Sequence, residues 1–324
     1  MWEKTSTVVI DNASHRPPNY FEWFYFHFVT GDGAALNMVL HETDIFGLKQ
    51  TPYLSLSVLL PDQEPTYVRH NLEGVAIARE QPFLQVGESL ISESDQAIYF
   101  DIPLPDRGYF RGEICKLAPP LVIQGGVLYK EPGTGRTSHW VVQVPHATFT
   151  GILQLDGTAY RLRGMAYQDH QWGTILIQEW VSDWVWGHFS NDQVAVVFFQ
   201  ILTQRGQLIE RVAMVTEEGR FTGTSLETNY LGTLFPAEHP EMFGDTVSVT
   251  FLNDQFQVAF EVSSARLMRS RLEEVYNKIS ASYFRWSAVA MLENSCGLQP
   301  LHGISEYIRI RPTMYGKQSN RQHR

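Results

Sequence analysis

Short apolar stretches separated by polar turns recur along most of the chain. In many of them apolar and polar residues alternate, which is the period of a β-strand with one buried face. Turn-forming pairs such as Asp156-Gly157 and Asn253-Asp254 lie between them. The pattern predicts an all-β protein built as a sandwich or barrel of short strands. The predicted strands are 19–29, 34–41, 51–60, 97–102, 138–144, 160–167, 194–202, 207–215, 246–251 and 255–262.

One segment has a different period. Between Ala265 and Tyr283 apolar residues recur every three or four positions, with charged residues between them. This spacing predicts one amphipathic helix in the second half of the chain. The residues after Pro312 show no apolar pattern, so 313–324 is expected to be a flexible basic tail.

The two halves of the chain resemble each other. Residues Glu22 to Phe28 and Asp183 to Phe189 share the pattern acid-Trp-x-aromatic-x-His-Phe, and each is followed by a polar turn and an apolar strand. A weaker echo relates 162–167 to 301–306. Self-similarity of this kind indicates a repeated unit, so two tandem β-domains are predicted. The predicted domains are 1–176 and 177–312.

Amino-acid composition and net charge disfavour several classes of function. The chain has 324 residues, 44% hydrophobic and 13% aromatic, which is enough for a large core without disulfides. A formal net charge of −10 offers no basic surface for nucleic acid or an anionic membrane. Without a signal-peptide pattern or a long apolar stretch, a cytoplasmic protein is expected. Cys115 and Cys296 fit reduced thiols and are expected to be small core residues.

Period-two geometry places a carboxylate and a phenol on one strand face. Between Gly164 and Gly173, a regular strand puts Tyr167 and Asp169 on the same side. Burial would raise the pKa of Asp169, and a carboxylic acid that keeps its proton can donate it to a double bond or carbonyl. Alternatively, 168–171 is polar enough to be a loop in which Asp169 caps a turn, and Tyr167 is an ordinary half-buried aromatic.

Other chemistries lack their usual sequence signals. Eleven histidines are present, but no H-E-x-x-H motif or tight Cys/His cluster accompanies them, so no metal is expected. The chain has no P-loop, no G-x-G-x-x-G after a strand and no G-x-S-x-G elbow, which disfavours nucleotide, dinucleotide and hydrolase functions. From the pattern alone, His27 and His188 are interpreted as histidines with a structural role in the barrel.

Four segments together resemble the AttH-like group of proteins. They are Glu22 to Tyr25, Trp140 to Pro145, Gly164 to Gly173 and Gly303 to Tyr307, and the Tyr-x-Asp-x-x-Trp-Gly core of the third is the most specific. This group includes carotenoid 1,2-hydratase, kievitone-hydratase-like proteins and lipocalin-like Diels–Alderases. The resemblance implies two lipocalin-like domains with a lipophilic pocket at or near their junction and no organic cofactor.

The resemblance also implies candidate site residues. In the carotenoid hydratases a Tyr and an Asp of this motif act with an upstream His and Trp, which here match Tyr167, Asp169, His139 and Trp140. Asp169, Tyr167 and His139 are therefore expected to be catalytic. The residues expected to bind the substrate are Trp140, Trp186, Tyr25, His188, Trp23, Trp184, Glu22 and Glu306.

These expectations combine into one functional hypothesis. The chain is expected to be a cofactor-independent enzyme that protonates or polarises a small unsaturated lipophilic substrate, such as an isoprenoid, polyene or polyketide. Capture of the resulting cation by water would make it a hydratase, and capture by an internal alkene or hydroxyl would make it a cyclase. Two alternatives stay open: a pericyclase that mainly orients its substrate, and a non-catalytic lipocalin-like carrier of a lipophilic metabolite.

Overall fold

The computed structural model describes most of the chain, and the described residues lie mostly in β-strands. This confirms the all-β prediction. Within the described ranges no helix has the length and apolar character needed to cross a membrane. The predicted tail, 313–324, and Cys296 lie outside them. The described ranges are 19–43, 52–71, 83–86, 89–122, 124–216, 219–223, 226–228, 248–253, 256–276, 279–294 and 297–312.

The first sheet contains eleven described strands in a largely sequential antiparallel order. That order is β4-β3-β2-β1-β11-β10-β8-β7-β6-β5, and β9 pairs with β10. A 3₁₀ turn at Gln124–Gly126 precedes β9. The strands are β1 (Phe21–Thr30), β2 (Ala35–Thr43), β3 (Tyr53–Leu59), β4 (Thr66–Asn71), β5 (Phe83–Val86), β6 (Ser89–Glu93), β7 (Ala97–Leu104), β8 (Gly108–Lys116), β9 (Val127–Lys130), β10 (Thr137–Leu155) and β11 (Thr158–Gly173).

The second sheet contains nine described strands. A short helix, α1 (Ile177–Trp180), leads into it, and the Glu179 carboxylate accepts a hydrogen bond from the Leu176 backbone N–H at the start of this helix. The strand order is β15-β14-β13-β12-β20-β19-β18-β17-β16. The strands are β12 (Val181–Ser190), β13 (Val194–Thr203), β14 (Leu208–Thr216), β15 (Gly219–Gly223), β16 (Leu226–Thr228), β17 (Ser248–Asn253), β18 (Phe256–Tyr276), β19 (Ile279–Asn294) and β20 (Gly297–Pro312).

The predicted helix between Ala265 and Tyr283 is wrong. This segment forms the end of β18 and the start of β19, two antiparallel strands. The register between them shifts at Leu267/Arg269 and at Arg271/Glu274. Each bulge adds a residue to the strand, so apolar positions three or four apart can share one strand face. A bulged strand can therefore show an apolar spacing close to that of a helix.

Cys115 also differs from the expectation of a core residue, because its side chain is exposed on β8. The alternation of this strand buries Phe110 and Ile114 and leaves Arg111 and Cys115 on the outer side. Partial desolvation and the nearby Glu113 carboxylate raise the pKa of the thiol. A reactive thiolate is therefore disfavoured at this position.

The described residues fall into two compact units. One contains mainly residues up to Ile175, and the other contains mainly residues from Leu176 onward. Two short stretches of the first half, Gly31–Leu36 and Ser57–Thr66, belong with the second unit. The tandem-domain limits of 1–176 and 177–312 stay a prediction.

Each sheet has a hydrophobic core on one of its faces. In the first unit the core contains a cluster of four phenyl rings, with neighbouring centroids 4.5 to 6.0 Å apart. The four rings are Phe28, Phe100, Phe110 and Phe149. In the second unit the core packs around Val185, Phe189, Phe198, Phe284, Trp286 and Tyr307.

The two sheets repeat the same closing arrangement. In each, the opening strand lies between its successor in sequence and the last strand of the sheet, as β1 pairs with β11 and β12 pairs with β20. Tyr25 pairs with Asp169 in the first sheet, and Trp186 pairs with Glu306 in the second. Because Tyr25 and Trp186 occupy the same place in the repeated sequence pattern, Asp169 and Glu306 are structural counterparts.

Two glycines explain the weaker sequence echo. A side-chain carbon at Gly164 would lie 1.9 Å from the Val29 carbonyl oxygen, and one at Gly303 would lie 2.0 Å from the His188 carbonyl oxygen. Both positions therefore need glycine so that the neighbouring strand can approach. Gly164 pairs with Thr30, whereas Gly303 pairs with Phe189, which corresponds to Phe28 in the opening repeat. The similarity between 162–167 and 301–306 is therefore shifted by two residues relative to the opening repeat.

Candidate functional site

The candidate site is built on the central strands β1, β10 and β11. Residues directly opposite each other in an antiparallel pair share a sheet face. Tyr25 and Val142 both lie opposite Asp169, from β1 and β10 respectively. We call this side the Asp169 face. It also includes Trp23, His27, Trp140 and Tyr167.

A buried acid and phenol form the centre of the Asp169 face. The Tyr167 hydroxyl donates a hydrogen bond to Asp169 Oδ2 at 2.9 Å, and both residues are at most 2% exposed. Because β11 continues to Gly173, Asp169 does not cap a turn and the alternative of a loop at 168–171 is wrong. The cross-strand neighbours of Asp169, Tyr25 and Val142, are neutral. The arrangement can hold a carboxyl group in an apolar setting.

Aromatic rings surround this pair on the same face. The Tyr167 ring lies 5.1 Å from the His27 ring and 6.3 Å from the Tyr25 ring, between centroids. Trp140 lies on the same side because it pairs with Gln171. Tyrosine and tryptophan faces carry partial negative charge, so they can attract a positive charge that develops on a bound molecule.

The ring system continues away from Asp169 across neighbouring strands. Trp23 lies 6.4 Å from His41, which stacks on Tyr53 at 4.2 Å, and the Arg69 guanidinium lies 3.9 Å from the Tyr53 centroid. Sequence reasoning did not assign a role to His41 or Arg69. Their pairing depends on the register of β2, β3 and β4, which single-strand alternation does not give.

The structure does not bring His139 together with Asp169. His139 pairs with Trp172, which lies on the opposite side of β11. Its ring stacks on the Trp172 ring at 4.9 Å, and its Nε2 is 2.9 Å from the Thr137 hydroxyl. The expected set of three catalytic residues is therefore divided between two faces.

Glu22 lies on this opposite side as well, which we call the Glu22 face. Its carboxylate is 2.8 Å from His170 Nε2 and accepts a hydrogen bond from the Tyr20 hydroxyl at 3.0 Å. The His170 ring is stacked between Phe24 and Trp172, at 4.2 Å and 4.5 Å. Strand alternation places His170 and Trp172 together on the side opposite Asp169, but no sequence signal predicted that Glu22 and Phe24 join them.

His139 gives a pH-dependent expectation. Burial lowers its pKa, a backbone hydrogen bond at Gly126 opposes this, and the nearby His170 lowers it further. The native state therefore keeps His139 neutral at pH values where the unfolded chain, with an ordinary histidine pKa of about 6.5, takes up a proton. Stability from this residue is present above that value and decreases as the pH falls through it.

We expect His139→Gln to flatten the acid-side decline in stability. The measurement is the urea unfolding free energy of wild type and variant at pH 7, 6 and 5. One proton changes the slope by at most about 1.4 kcal/mol per pH unit. If the unfolding free energy fell equally with pH in the two proteins, folding would not lower the pKa of His139.

The predicted substrate-binding residues of the second half share one face of the second sheet. Trp184, Trp186 and His188 alternate along β12 on one side, and Glu306 is paired with Trp186. Arg285 Nε donates to Glu306 Oε1 at 2.6 Å, which no sequence signal indicated. On the other face, Asp183 accepts hydrogen bonds from Tyr307 at 2.8 Å and Arg309 at 2.9 Å.

Metal binding was not expected from the sequence, and that stays a prediction. Among the residues that the structure describes, no group of three or more His, Cys, Asp or Glu side chains is arranged to hold a metal ion.

Comparison with known proteins identifies the fold. A Nitrosomonas europaea protein assigned as an AttH superposes with a TM-score of 0.61 at 14% identity, covering 90% of this chain and 92% of that one. The chain has the AttH-like fold. CghA bound to Sch210972 gives 0.62 at 11% identity, covering 91% and 89%. Kievitone hydratase from Nectria haematococca gives 0.54 at 12% identity, covering 89% and 88%. The predicted lipocalin-like fold is confirmed.

Sequence comparison adds one relative. The quinolone epoxide rearrangement protein penF of Penicillium thymicola is 26% identical over 85 residues. This match spans 26% of the chain and 23% of the relative's length. No protein-family model matches the chain.

Proposed function

We propose that this protein is a cofactor-independent acid/base enzyme that acts on a small unsaturated lipophilic metabolite. The observation that carries the proposal is the buried hydrogen bond between Tyr167 and Asp169 on a face lined by aromatic rings. A carboxyl group with neutral neighbours can hold a proton, and the rings can bind an apolar chain. An isoprenoid, a polyene and a polyketide are the substrate classes that this chemistry fits.

Proton transfer from Asp169 would begin the reaction. The O–H bond of the acid breaks, a C–H bond forms at one end of the substrate double bond, and positive charge develops at the other end. Tyr167 holds the acid in place by donating to Oδ2, and the protonated Asp169 carboxyl supplies the proton. The faces of Tyr25 and Trp140 then stabilise the cation.

Capture of the cation decides the reaction class. Attack by water forms a C–O bond, and loss of one water proton to the Asp169 carboxylate restores the acid and completes hydration. Attack by an internal hydroxyl closes a ring through a C–O bond, and the hydroxyl proton returns to the same carboxylate. Attack by an internal alkene closes a ring through a C–C bond and moves the positive charge, and loss of a neighbouring C–H proton to the carboxylate then forms a new double bond. Proton donation to an epoxide oxygen would likewise open its C–O bond and start a rearrangement.

The named relatives support this range of reactions. One is a hydratase and another is a quinolone epoxide rearrangement protein, so water addition and internal rearrangement both occur in proteins similar to this chain. We propose a cytoplasmic location and a small lipophilic substrate as the partner of the Asp169 face.

An isotope experiment tests the function and separates its forms. The protein is incubated with kievitone, with a quinolone epoxide and with a linear polyene in ¹⁸O-labelled water, and products are followed by mass spectrometry. Hydration adds the mass of one labelled water, whereas cyclisation or rearrangement changes retention at constant mass. Heat-denatured protein is the control. Recovery of each compound unchanged, although bound, would favour the carrier and overturn the proposal for these substrate classes.

A further inference from the structure

A row of side chains crosses the second sheet beside Glu306. Reading across β13, β12, β20 and β19, the directly opposed residues are Phe199, Trp186, Glu306 and Arg285. They share one face, because opposed residues in antiparallel strands point to the same side. Tyr283, two residues before Arg285, lies with its ring centroid 5.2 Å from the guanidinium carbon.

The ion pair in this row is buried. Arg285 is 4% exposed and Glu306 is 9% exposed. Arg285 Nε donates to Glu306 Oε1 at 2.6 Å, and its Nη1 donates to the Ser57 hydroxyl at 3.3 Å. The first contact is a short charge-assisted bond, while the second is long and reaches a neutral acceptor.

The repeat within the chain shows what is special about this pair. The counterpart row in the first sheet is Tyr25, Asp169 and Val142. Val142 therefore occupies the place that Arg285 occupies in the second sheet. In one copy both cross-strand neighbours of the carboxylate are neutral, and in the other one of them is a guanidinium. The two copies are therefore built for different chemistry.

Packing alone does not account for Arg285. The hydrophobic core of the second unit lies on the other face, around Val185, Phe284 and Tyr307. Desolvating an arginine and a glutamate is costly, and apolar side chains of similar volume often replace such a pair without loss of stability. Arginine is suited to planar oxygen groups because its fork of N–H donors matches their geometry. These features indicate recognition of an oxygen-bearing ligand.

We propose that Arg285 binds the anionic oxygen group of an amphiphilic ligand, in a site separate from the acid/base pair. A carboxylate, sulfonate or enolate oxygen would replace the Ser57 hydroxyl on Nη1, while Glu306 continues to hold Nε. Trp184 and Trp186, on the same face, pack against the apolar body of the ligand. The site selects molecules that combine an aromatic or aliphatic body with a planar anion.

Two fluorescent probes of similar size test the anion requirement. They are 1-anilinonaphthalene-8-sulfonate, which carries a sulfonate, and the neutral N-phenyl-1-naphthylamine. Arg285→Gln is expected to weaken binding of the sulfonate probe about tenfold or more and to change binding of the neutral probe less than about twofold. Equal weakening of both probes, or of neither, would overturn the proposal.

A control variant and a folding check show whether a change in binding is specific to Arg285. Arg111→Gln removes the same charge from an exposed position on β8 and is expected to leave both affinities unchanged. The probe measurements involve no turnover, so failure of this proposal is distinguishable from failure of the proposed enzyme function. Far-ultraviolet circular dichroism checks that each variant is folded.

If Arg285→Gln does not fold, Arg285→Lys and Ser57→Ala decide the question. Lysine keeps the positive charge but lacks the planar fork, so the sulfonate probe should bind several-fold more weakly than to wild type. Ser57→Ala removes the displaced hydroxyl, so the probe should bind as tightly as before or more tightly. Wild-type affinity in the lysine variant together with weaker binding in Ser57→Ala would overturn the proposal.

Discussion

Replacing Asp169 with asparagine is expected to lower the single-turnover rate by about 10²–10⁴-fold while leaving substrate affinity nearly unchanged. Asparagine keeps the size of the side chain and an acceptor oxygen for the Tyr167 hydroxyl, but it cannot donate a carboxylic proton. The measurement compares rapid-mixing turnover and equilibrium binding for wild type and variant, with the substrate that the isotope experiment identifies.

Tyr167→Phe provides the graded comparison. It removes the donor to Asp169 Oδ2 but keeps the ring beside His27, so the rate should fall less than in the asparagine variant. A pericyclase would lose rate only as far as Asp169 polarises or positions its substrate. An unchanged rate in folded Asp169→Asn would remove this residue from the mechanism.

Strand alternation made part of the candidate site predictable. Tyr167 and Asp169 are two residues apart in a strand, and Tyr25 belongs to the repeated opening motif. Both deductions need only the period of a single strand and the similarity of the two halves. The all-β class followed from the same signal.

Cross-strand register limited the rest. His139 and Trp140 are adjacent, so only one of them can lie on the Asp169 face, and the sequence does not say which pairs with Gln171. The register of β10 against β11 also shifts twice, between Val142 and Ala147. Inter-strand register is set by bulges and turns that no single-strand pattern contains. The resemblance therefore named residues that the structure places on two faces of the sheet.

Arg285 illustrates a second limit. In the sequence it is one basic residue within an aromatic strand, and no acidic residue is adjacent to it. Its contact with Glu306 depends on the hairpin between β19 and β20, which joins residues 21 positions apart. The duplication of the chain reveals the difference between Val142 and Arg285 only after both sheets have been paired.

Phe149→Ala is expected to lower the unfolding free energy by about 3–5 kcal/mol. Its ring is buried, with its centroid 4.5 Å from the Phe28 ring. It also covers Gly112 and Gly151, where an added side-chain carbon would lie within 2.8 Å of the ring. Two glycines have no side chains that could move into the space left by the ring. The loss should therefore fall in the upper part of this range.

Ile152→Ala is the matched control, because Ile152 lies on the same strand and is 36% exposed. Urea unfolding at constant pH, followed by tryptophan fluorescence, should show less than about 1 kcal/mol of loss for it. The strand that carries Phe149 also carries Trp140 and Val142 beside Asp169. Loss of the Phe149 ring should therefore also weaken ligand binding at the Asp169 face at urea concentrations just below the unfolding transition. A loss in Phe149→Ala no larger than in the control would show that the phenyl cluster does not anchor β10.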